Sequence, residues 1–185
     1  MNRYLKSIEV RLNDWRMSIA ANKCSFTIYS RKIPKMLTNG EFKLEIYGQP
    51  IPINHSPRYL GVLIDNHLNL NNHIKNLSEK CLKKLNVLKC LSYKNWALCT
   101  NQQLTVYKCL IRSTMEYAPI ITLSSETSVE KLSGIQYQAL KIISKERGQV
   151  SNTFLHDLFS IQTFDQRLHE LSSKYVEKNL FLFYL

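Results

Sequence analysis

The chain of 185 residues contains only five glycines, five prolines and no long apolar run. Glycine and proline dominate tight turns, so their scarcity argues against a collagen-like chain, a flexible linker and a turn-rich β-sandwich. Charged residues interrupt the apolar positions of the first 20 residues, and the apolar stretch at the end of the chain is far too short to cross a bilayer. We therefore expect neither a signal peptide nor a membrane-spanning helix, and no membrane partner.

Acidic residues are scarce as well, with 14 Asp and Glu against 25 Lys and Arg. No two acids are adjacent, and Asp65 is the only aspartate in or next to a predicted strand. Two-metal chemistry needs two or three carboxylates within a few ångströms of each other. The sequence also has no Gly-rich phosphate loop, no G-x-S-x-G motif and no Cys/His nucleophile pair. It therefore predicts no metal site and no complete enzyme, and Asp65 is expected to be a turn residue that follows a strand.

Cysteine and histidine patterns typical of metal sites are missing. The cysteines are odd in number and form no C-x-x-C pair, which argues against a zinc site and a secreted disulfide framework. They are expected to be small core residues in a reducing compartment. The histidines have no carboxylate partner at ligand spacing, so they are expected to be structural too. The residues concerned are Cys24, Cys81, Cys90, Cys99 and Cys109, and His55, His67, His73, His156 and His169.

Positive charge is what the chain has in excess, with a formal net charge of +11. The charge lies in two blocks. Residues 1–35 hold eight basic and two acidic side chains, and residues 73–112 hold eight basic side chains and one acid. Such a balance indicates a polyanionic partner such as a nucleic acid. A solvated helix face would show the same lysines, so phosphate contact and plain solubility are both open for the second block.

The period of the apolar residues changes along the first part of the chain. An apolar residue at every third or fourth position predicts a helix to about residue 18, with Trp15 on its buried side. Residues 24–30 alternate with period two and predict a half-buried strand. Residues 42–53 alternate around a Gly-Gln-Pro turn and predict a hairpin. Residues 59–64 predict a third strand, in which Gly61 marks a bulge or a close backbone approach.

Helical periodicity takes over in the second part of the chain. One narrow apolar stripe predicts a first helix; its residues are Ile74, Leu77, Cys81, Leu85 and Leu88. Three further helices are predicted to begin at capping boxes that open with Thr100, Thr127 and Thr163. Pro119 is expected to limit the second helix, whose inward residues include Leu110. Trp96 is expected in the connection that precedes it.

The order of these elements predicts an α+β fold. Residues 1–68 are expected to form a small lobe with an N-terminal helix and an antiparallel hairpin or sheet. Residues 69–185 are expected to form a helical lobe of at least four helices.

Five stretches carry a resemblance to a known family. Residues 15–32 read WRMSIAANKCSFTIYSRK, residues 58–65 read RYLGVLID, and residues 72–74 read NHI. They are similar, in order and spacing, to the region that follows the active-site aspartates in reverse transcriptases of LINE-type, jockey-like retrotransposons. Residues 107–118 and 132–140 are similar to the thumb helices of that family. Ala20 departs from the pattern, because the family usually has asparagine there.

The resemblance implies the end of the palm and the thumb of an RNA-directed DNA polymerase of a non-LTR retrotransposon. In that family the paired catalytic aspartates precede the matching segment, so we expect a fragment that lacks them and is inactive alone. It would at most bind an RNA or DNA primer–template. No cofactor is expected on this fragment, although Mg²⁺ is implied for the full-length family. The missing palm and fingers are an implied partner, and the nucleus is the implied compartment.

The resemblance also implies roles for single residues. Lys23 matches the palm lysine near the phosphates of the incoming nucleotide, as a proton donor to pyrophosphate. Tyr59, Leu60 and Gly61 match the primer grip, a hairpin that holds the end of the primer strand. The implied phosphate contacts on the first thumb-like helix are Lys75, Lys80, Lys83 and Lys84. The structural alternatives are a solvated turn lysine, a buried strand with a packing glycine, and a solvated helix face.

Two other functions compete with this interpretation. A basic helical protein-interaction module, with no present nucleic-acid role, is the alternative from a different class. An independent small enzyme is the third, and the missing catalytic constellation argues against it.

Overall fold

The structure is a computed structural model that describes residues 1–30, 42–93, 98–117, 125–146 and 148–183. It divides into two compact units, Met1–Leu68 and Asn69–Leu185. The first contains a helix and two small hairpins and the second is helical, which confirms the predicted α+β class. Trp96 and Pro119 lie outside the described residues. Within the described ranges, no helix combines the length and the apolar character needed to cross a membrane.

The first unit begins with helix α1, Asn2–Asp14, which lies against a small apolar core. The buried core residues are Ala21, Leu44, Ile46 and Ile51, and Leu5, Ile19, Cys24, Phe26 and Phe42 pack against them. The rings of Phe26 and Phe42 meet edge to face, with their centroids 5.9 Å apart. The core therefore joins α1 to the segments on both sides of the first hairpin.

Helix α1 is shorter than the sequence predicts, and Trp15 is not a core residue. The N–H of Met17 donates to the carbonyl of Leu12 at 2.8 Å, and Arg16 has a φ of 56°. A residue in the left-handed region with this long-range hydrogen bond is a common way to end a helix. Trp15 follows the last turn and leaves the apolar stripe, so its side chain is 71% exposed. The prediction of a buried Trp15 is wrong for this reason.

Two antiparallel hairpins follow, each with strands of two residues. Strand β1, Glu45–Ile46, pairs with β2, Gln49–Pro50, which confirms the hairpin predicted in this region. Strand β3, Arg58–Tyr59, pairs with β4, Val62–Leu63. The hairpin that the resemblance implies is thus present, whereas the single strand that periodicity predicts over residues 59–64 is not formed.

The two hairpins share one turn geometry. The central residues Tyr47 and Gly48 have φ values of 49° and 72°, and Leu60 and Gly61 have 46° and 87°. Positive φ at both central positions is the type I′ arrangement, whose twist suits two-residue hairpins. Gly61 is therefore a turn residue with an exposed backbone, and the packing-glycine alternative is wrong.

The strand predicted over residues 24–30 is reduced to one parallel bridge, between Phe26 and Ile53. Two features stop the ladder from growing. On one side Pro52 has no N–H to donate. On the other side the carbonyl of Asn54 accepts the hydroxyl of Thr27 at 2.6 Å, a bond that takes the place of further strand pairing. Side-chain hydrogen bonds have replaced backbone pairing here.

The second unit is built around two long helices. Its elements are α2 (Asn71–Leu91), α3 (Thr100–Val106), α4 (Ser113–Met115), α5 (Glu126–Ser144), α6 (Asn152–Phe159) and α7 (Phe164–Phe183). Helix α2 packs on α5, and α5 also contacts α3, α6 and α7. The predicted apolar stripe of α2 is confirmed, because all five of its residues are buried. Helix α6 is too short to have been predicted from its periodicity.

A wide turn, Tyr107–Arg112, joins α3 to α4 without a break, with π-helical hydrogen bonds that span five residues. Gln103, Tyr107, Ile111 and Met115 are all fully buried although they are spaced by four residues each time. In an α-helix that spacing drifts by about 40° per step. The wide turn takes up the drift and keeps the four residues on one side. It also leaves Leu110 exposed, so the prediction that Leu110 faces the core is wrong.

The capping boxes are confirmed at one helix and displaced at two. At α7 the N–H of Thr163 donates to Oε1 of Gln166 at 3.2 Å, and the N–H of Gln166 donates to Oγ1 of Thr163 at 3.3 Å. At α5 the cap is Ser125 rather than Thr127. Thr127 lies inside the first turn, where its hydroxyl is 3.2 Å from that of Ser125.

At α3 the cap is Cys99 rather than Thr100, because the side chain of Gln103 makes hydrogen bonds elsewhere. The N–H of Cys99 donates to Oε1 of Gln102 at 3.0 Å. Gln103 is buried; its Nε2 donates to the carbonyl of Leu98 at 2.9 Å, and its Oε1 accepts the hydroxyl of Ser92 at 3.2 Å. The amide of Gln103 thereby ties the end of α2 to the start of α3.

The cysteines are mostly not core residues. Cys81 is buried as predicted, and Cys24 is half-buried. Cys90, Cys99 and Cys109 are exposed thiols, so the core prediction is wrong for them. Nine residues turn a helix by about two and a half turns, so Cys90 lies on the side of α2 opposite the buried Cys81.

Gly134 offers a direct test of packing in α5. A Cβ at this position would meet nothing within 4 Å, and the φ of Gly134 is outside the left-handed region. Alanine is better than glycine in a helix interior by about 0.8–1 kcal/mol, so Gly134→Ala should raise the free energy of unfolding by about that amount. Gly148→Ala, at a φ of 101°, should lower it instead. Urea denaturation measures both, and a destabilised Gly134→Ala variant would contradict the open space.

Candidate nucleic-acid interface

The tip of the β3–β4 hairpin presents two large side chains to solvent. Tyr59 ends β3 opposite Val62, and its side chain is 67% exposed. Leu60, in the turn, is 73% exposed. Gly61 has no side chain, so the backbone of the turn is accessible from its own side. The hairpin tip thus holds three predicted site residues in one defined turn, where they are adjacent and exposed: Tyr59, Leu60 and Gly61.

Lys23 lies in the same unit as the hairpin. It ends a single 3₁₀ turn, Ala21–Lys23, in which its N–H donates to the carbonyl of Ala20 at 2.9 Å. Its side chain is exposed. The chain that follows Lys23 runs beside the segment that leads into the hairpin, because the N–H of Phe26 donates to the carbonyl of Pro52 at 3.1 Å.

The four lysines predicted as phosphate contacts lie on α2 in the second unit, and they are not equivalent. Lys75, Lys80 and Lys83 are exposed. Lys80 and Lys83 are three residues apart and share one side of the helix. Lys84 is half-buried, and its ammonium group donates to the hydroxyl of Thr114. The exposed cationic side chains of α2 in this set are therefore Lys75, Lys80 and Lys83.

A chain of ion pairs links the end of α4 to α7, and sequence reasoning missed it. Oε1 of Glu116 is 2.5 Å from Nε of Arg112 and 3.3 Å from Nε of Arg167. Nη1 of Arg167 is 2.9 Å from Oε2 of Glu170, whose Oε1 is 2.5 Å from Nζ of Lys174. Hydrogen bonds from Lys174 and Arg167 lower the pKa of Glu170 to about 2. The spacing of three or four residues could have revealed the pairs within each helix, but not the contact between Glu116 and Arg167.

Comparison with known proteins gives matches over most of the chain. It is 22% identical over 182 residues, 96% of its length, to the RNA-directed DNA polymerase from mobile element jockey of Drosophila funebris. It is 24% identical over 168 residues, 89% of its length, to the probable RNA-directed DNA polymerase from transposon X-element of Drosophila melanogaster. It is 36% identical over 76 residues, 41% of its length, to the retrovirus-related Pol polyprotein from type-1 retrotransposable element R1 4 of Nasonia vitripennis. The homologues are RNA-directed DNA polymerases of non-LTR retrotransposons.

The polymerase homologues are much longer than the match. The aligned segment covers 19% of the jockey protein, 18% of the X-element protein and 19% of the R1 polyprotein. The chain thus spans about a fifth of the length of the curated relatives it matches. No protein-family model and no solved structure matches it.

The homologous polymerases generally use a metal ion, and such a site needs several ligating side chains within a few ångströms of each other. Across the described residues, no group of three or more His, Cys, Asp or Glu side chains could hold a metal ion. Asp65 is half-buried in the turn after β4, where its carbonyl accepts the N–H of Leu68 at 3.0 Å. The described side chains therefore do not fit Mg²⁺.

Two buried nucleophiles of the second unit, Cys81 and Tyr107, are inert. Burial raises the pKa of the Cys81 thiol to about 11, and burial likewise raises the pKa of Tyr107 well above its usual value. Both groups are protonated at neutral pH, and a thiol attacks as the thiolate. Cys81 and Tyr107 are therefore packing residues.

Proposed function

We propose that the chain is a segment of a non-LTR retrotransposon RNA-directed DNA polymerase that contacts the primer–template. The hairpin tip would hold the primer end, and the exposed lysines of α2 would contact phosphates. The observation that carries this proposal is the match to the jockey polymerase over 96% of the chain. The exposure of Tyr59 and Leu60 supports it further.

The hairpin tip has the properties of a nucleic-acid contact. An exposed tyrosine ring stacks on a base or a sugar, and such stacking contributes about 1–3 kcal/mol per base. Leu60 beside it adds apolar surface, and the turn at Gly61 lets a strand approach the backbone closely. A tip of this kind holds a strand end without reading its sequence.

The lysines of α2 supply the electrostatic part of nucleic-acid binding. Lys75, Lys80 and Lys83 are exposed, and each can neutralise one backbone phosphate. Lys84, which was predicted with them, is partly withdrawn by its hydrogen bond to Thr114. Its proposed contribution is therefore to position α2 against the helix that carries Thr114.

Catalysis is proposed to depend on the rest of the polymerase. Lys23 is exposed at the end of its turn and could donate a proton to a leaving pyrophosphate only beside a bound nucleotide and its metal ions. We propose that their carboxylate ligands come from palm and fingers outside this chain, and that the chain alone does not extend a primer. The resemblance supports the nucleus as its compartment.

The salt dependence of binding tests the lysine contacts. A labelled duplex with a recessed primer should bind, and log K should fall linearly with log salt. Lys80→Gln/Lys83→Gln should reduce the slope by roughly 2, about 1 for each phosphate contact removed. Lys131→Gln, an exposed lysine on α5, is the control and should leave the slope unchanged. An unchanged slope in the double variant would mean that Lys80 and Lys83 belong to a solvated helix face and contact no phosphate.

A protein-interaction module with no present nucleic-acid role is the second candidate. Exposed apolar side chains in the first unit favour it; they include Tyr4, Val10, Trp15 and Met17. A chain that shows no salt-dependent binding to the duplex, yet retains a folded thermal transition, would support the module instead.

A further inference from the structure

A surface pocket of about 430 Å³ lies where the C-terminal ends of α2 and α5 meet. Its lining residues are Lys89, Gln138, Lys141, Ile142, Lys145 and Glu146, and we refer to it as the lysine pocket. Three of the six residues are lysines, contributed by two helices that are distant in sequence. Among these described lining residues Glu146 is the one acid, so together they carry a formal charge of +2.

The lysine pocket lies apart from the lysines proposed above. Lys75 is 14 residues before Lys89, so it lies within about 40° of Lys89 around the helix but about 21 Å away along the axis. Lys89 follows Lys80 by nine residues on α2, and at about 100° per residue this places the two side chains on opposite sides of the helix. A nucleic acid that contacts Lys80 does not reach the pocket by the same face of α2. Any ligand of the pocket is therefore an additional contact.

Within the described structure, no ion pair neutralises the lysines of the pocket. None of Lys89, Lys141 and Lys145 forms an ion pair with a described residue. Lys141 is half-buried, so water screens its charge less than that of an exposed lysine. The carbonyl ends of two helices account in part for cations at this place, because they carry a partial negative charge.

Lys145 ends α5 in a backbone conformation that is unfavourable for lysine. Its φ is 58°, in the left-handed region, at the position after α5 where glycine or asparagine is usually found. A lysine costs conformational energy at such a position, and strained residues of this kind gather at ligand sites. This strain favours a role for the positive charge that the Lys145 side chain brings to the pocket.

We propose that the lysine pocket binds a phosphate group of a nucleic-acid backbone. Lysine ammonium groups are compact, mobile point charges that suit a phosphate. Three lysines line this open space of about 430 Å³, which is wide enough for the phosphate and its water. Its described lining residues include no aromatic side chain to stack on a base and no arginine to hold a carboxylate in two bonds. This inference rests on the proposed function, because it adds a second phosphate contact to the same primer–template.

The test measures the salt dependence of duplex binding for single variants of the full chain. Lys89→Gln, Lys141→Gln and Lys145→Gly should each lower the slope by roughly 1, whereas Lys131→Gln should not. Lys145→Gly is the sharpest of them, because glycine accepts a φ of 58° freely. Its thermal midpoint should therefore stay the same or rise while binding weakens. A lower midpoint with an unchanged slope would assign the lysines to the helix ends and overturn the proposal.

The same variants separate this inference from the proposed function. If Lys80→Gln/Lys83→Gln keeps the full slope while the pocket variants lower it, the pocket stands and the α2 contacts fail. The reverse result overturns the pocket alone. Absence of any duplex binding by the unmodified chain overturns both.

Amide NMR signals of Lys141 and Lys145 distinguish the source of the anion. Shifts caused by the duplex, and not by polyglutamate at equal charge concentration, support the proposal. Equal shifts with polyglutamate would overturn it in favour of an acidic peptide. Shifts with millimolar inorganic phosphate but not with saturating duplex would overturn it in favour of a free phosphate ion.

Discussion

Gly61→Val should weaken the binding of a recessed primer–template by about 10-fold to 100-fold and lower the free energy of unfolding by about 1–2 kcal/mol. The φ of Gly61 is 87°, which a β-branched side chain does not accept. The turn would have to change its geometry, and Tyr59 and Leu60 would move with it. Anisotropy titration gives the binding constant, and urea denaturation gives the stability.

Gly48→Val is the matched control, because Gly48 holds the same place in the other hairpin. Its φ is 72°, and a Cβ at Gly48 would meet nothing within 4 Å, so only backbone strain is expected. The two variants should lose similar stability, and Gly48→Val should keep its affinity for the duplex. If both lose affinity equally, the loss reflects partial unfolding and the hairpin tip at Tyr59 is not the primer contact.

Glu116→Gln should lower the free energy of unfolding by about 1–3 kcal/mol. Its carboxylate is only 16% exposed and lies between the guanidinium groups of Arg112 and Arg167. A neutral amide would leave two partly buried cations facing each other without the charge that joins α4 to α7. Urea denaturation at neutral pH measures the loss.

Glu177→Gln provides the control for Glu116→Gln, because Glu177 is an exposed acid on α7 and forms no ion pair with a described residue. Its substitution should change stability by less than about 0.5 kcal/mol. If Glu116→Gln changes stability as little as Glu177→Gln does, water screens the ion pairs and the helices are held by apolar packing alone.

Long periodic elements were predictable, and their ends were not. The stripe from Ile74 to Leu88 extends over four turns, so a single period determines its buried side. Helix ends are usually marked by glycine, which is scarce here. Ordinary residues such as Arg16, Lys145 and Ser160 adopt the left-handed conformation instead. The sequence predicts Trp15 on the buried side of the helix because nothing at Arg16 signals that the helix ends before it.

In the candidate site, too, features formed by residues near in sequence were predictable, and contacts between residues far apart in sequence were not. The hairpin tip is local, and the pattern of residues 58–65 was enough to point to it. The contact between Glu116 and Arg167 joins residues 51 apart, and the lysine pocket joins Lys89 to Lys141. Contacts of this range depend on how the helices pack, which the periodicity of one helix does not contain.

The wide turn Tyr107–Arg112 holds one residue more than a regular helical turn would need. Deleting one of its residues would restore a regular helix, and Met115 would then follow Gln103 by eleven residues, which is three turns and about 20°. Met115 would therefore stay on the buried side of the helix. Loss of one residue here should be tolerated better than loss of one residue from a regular helix such as α2, where every following position would rotate by about 100°.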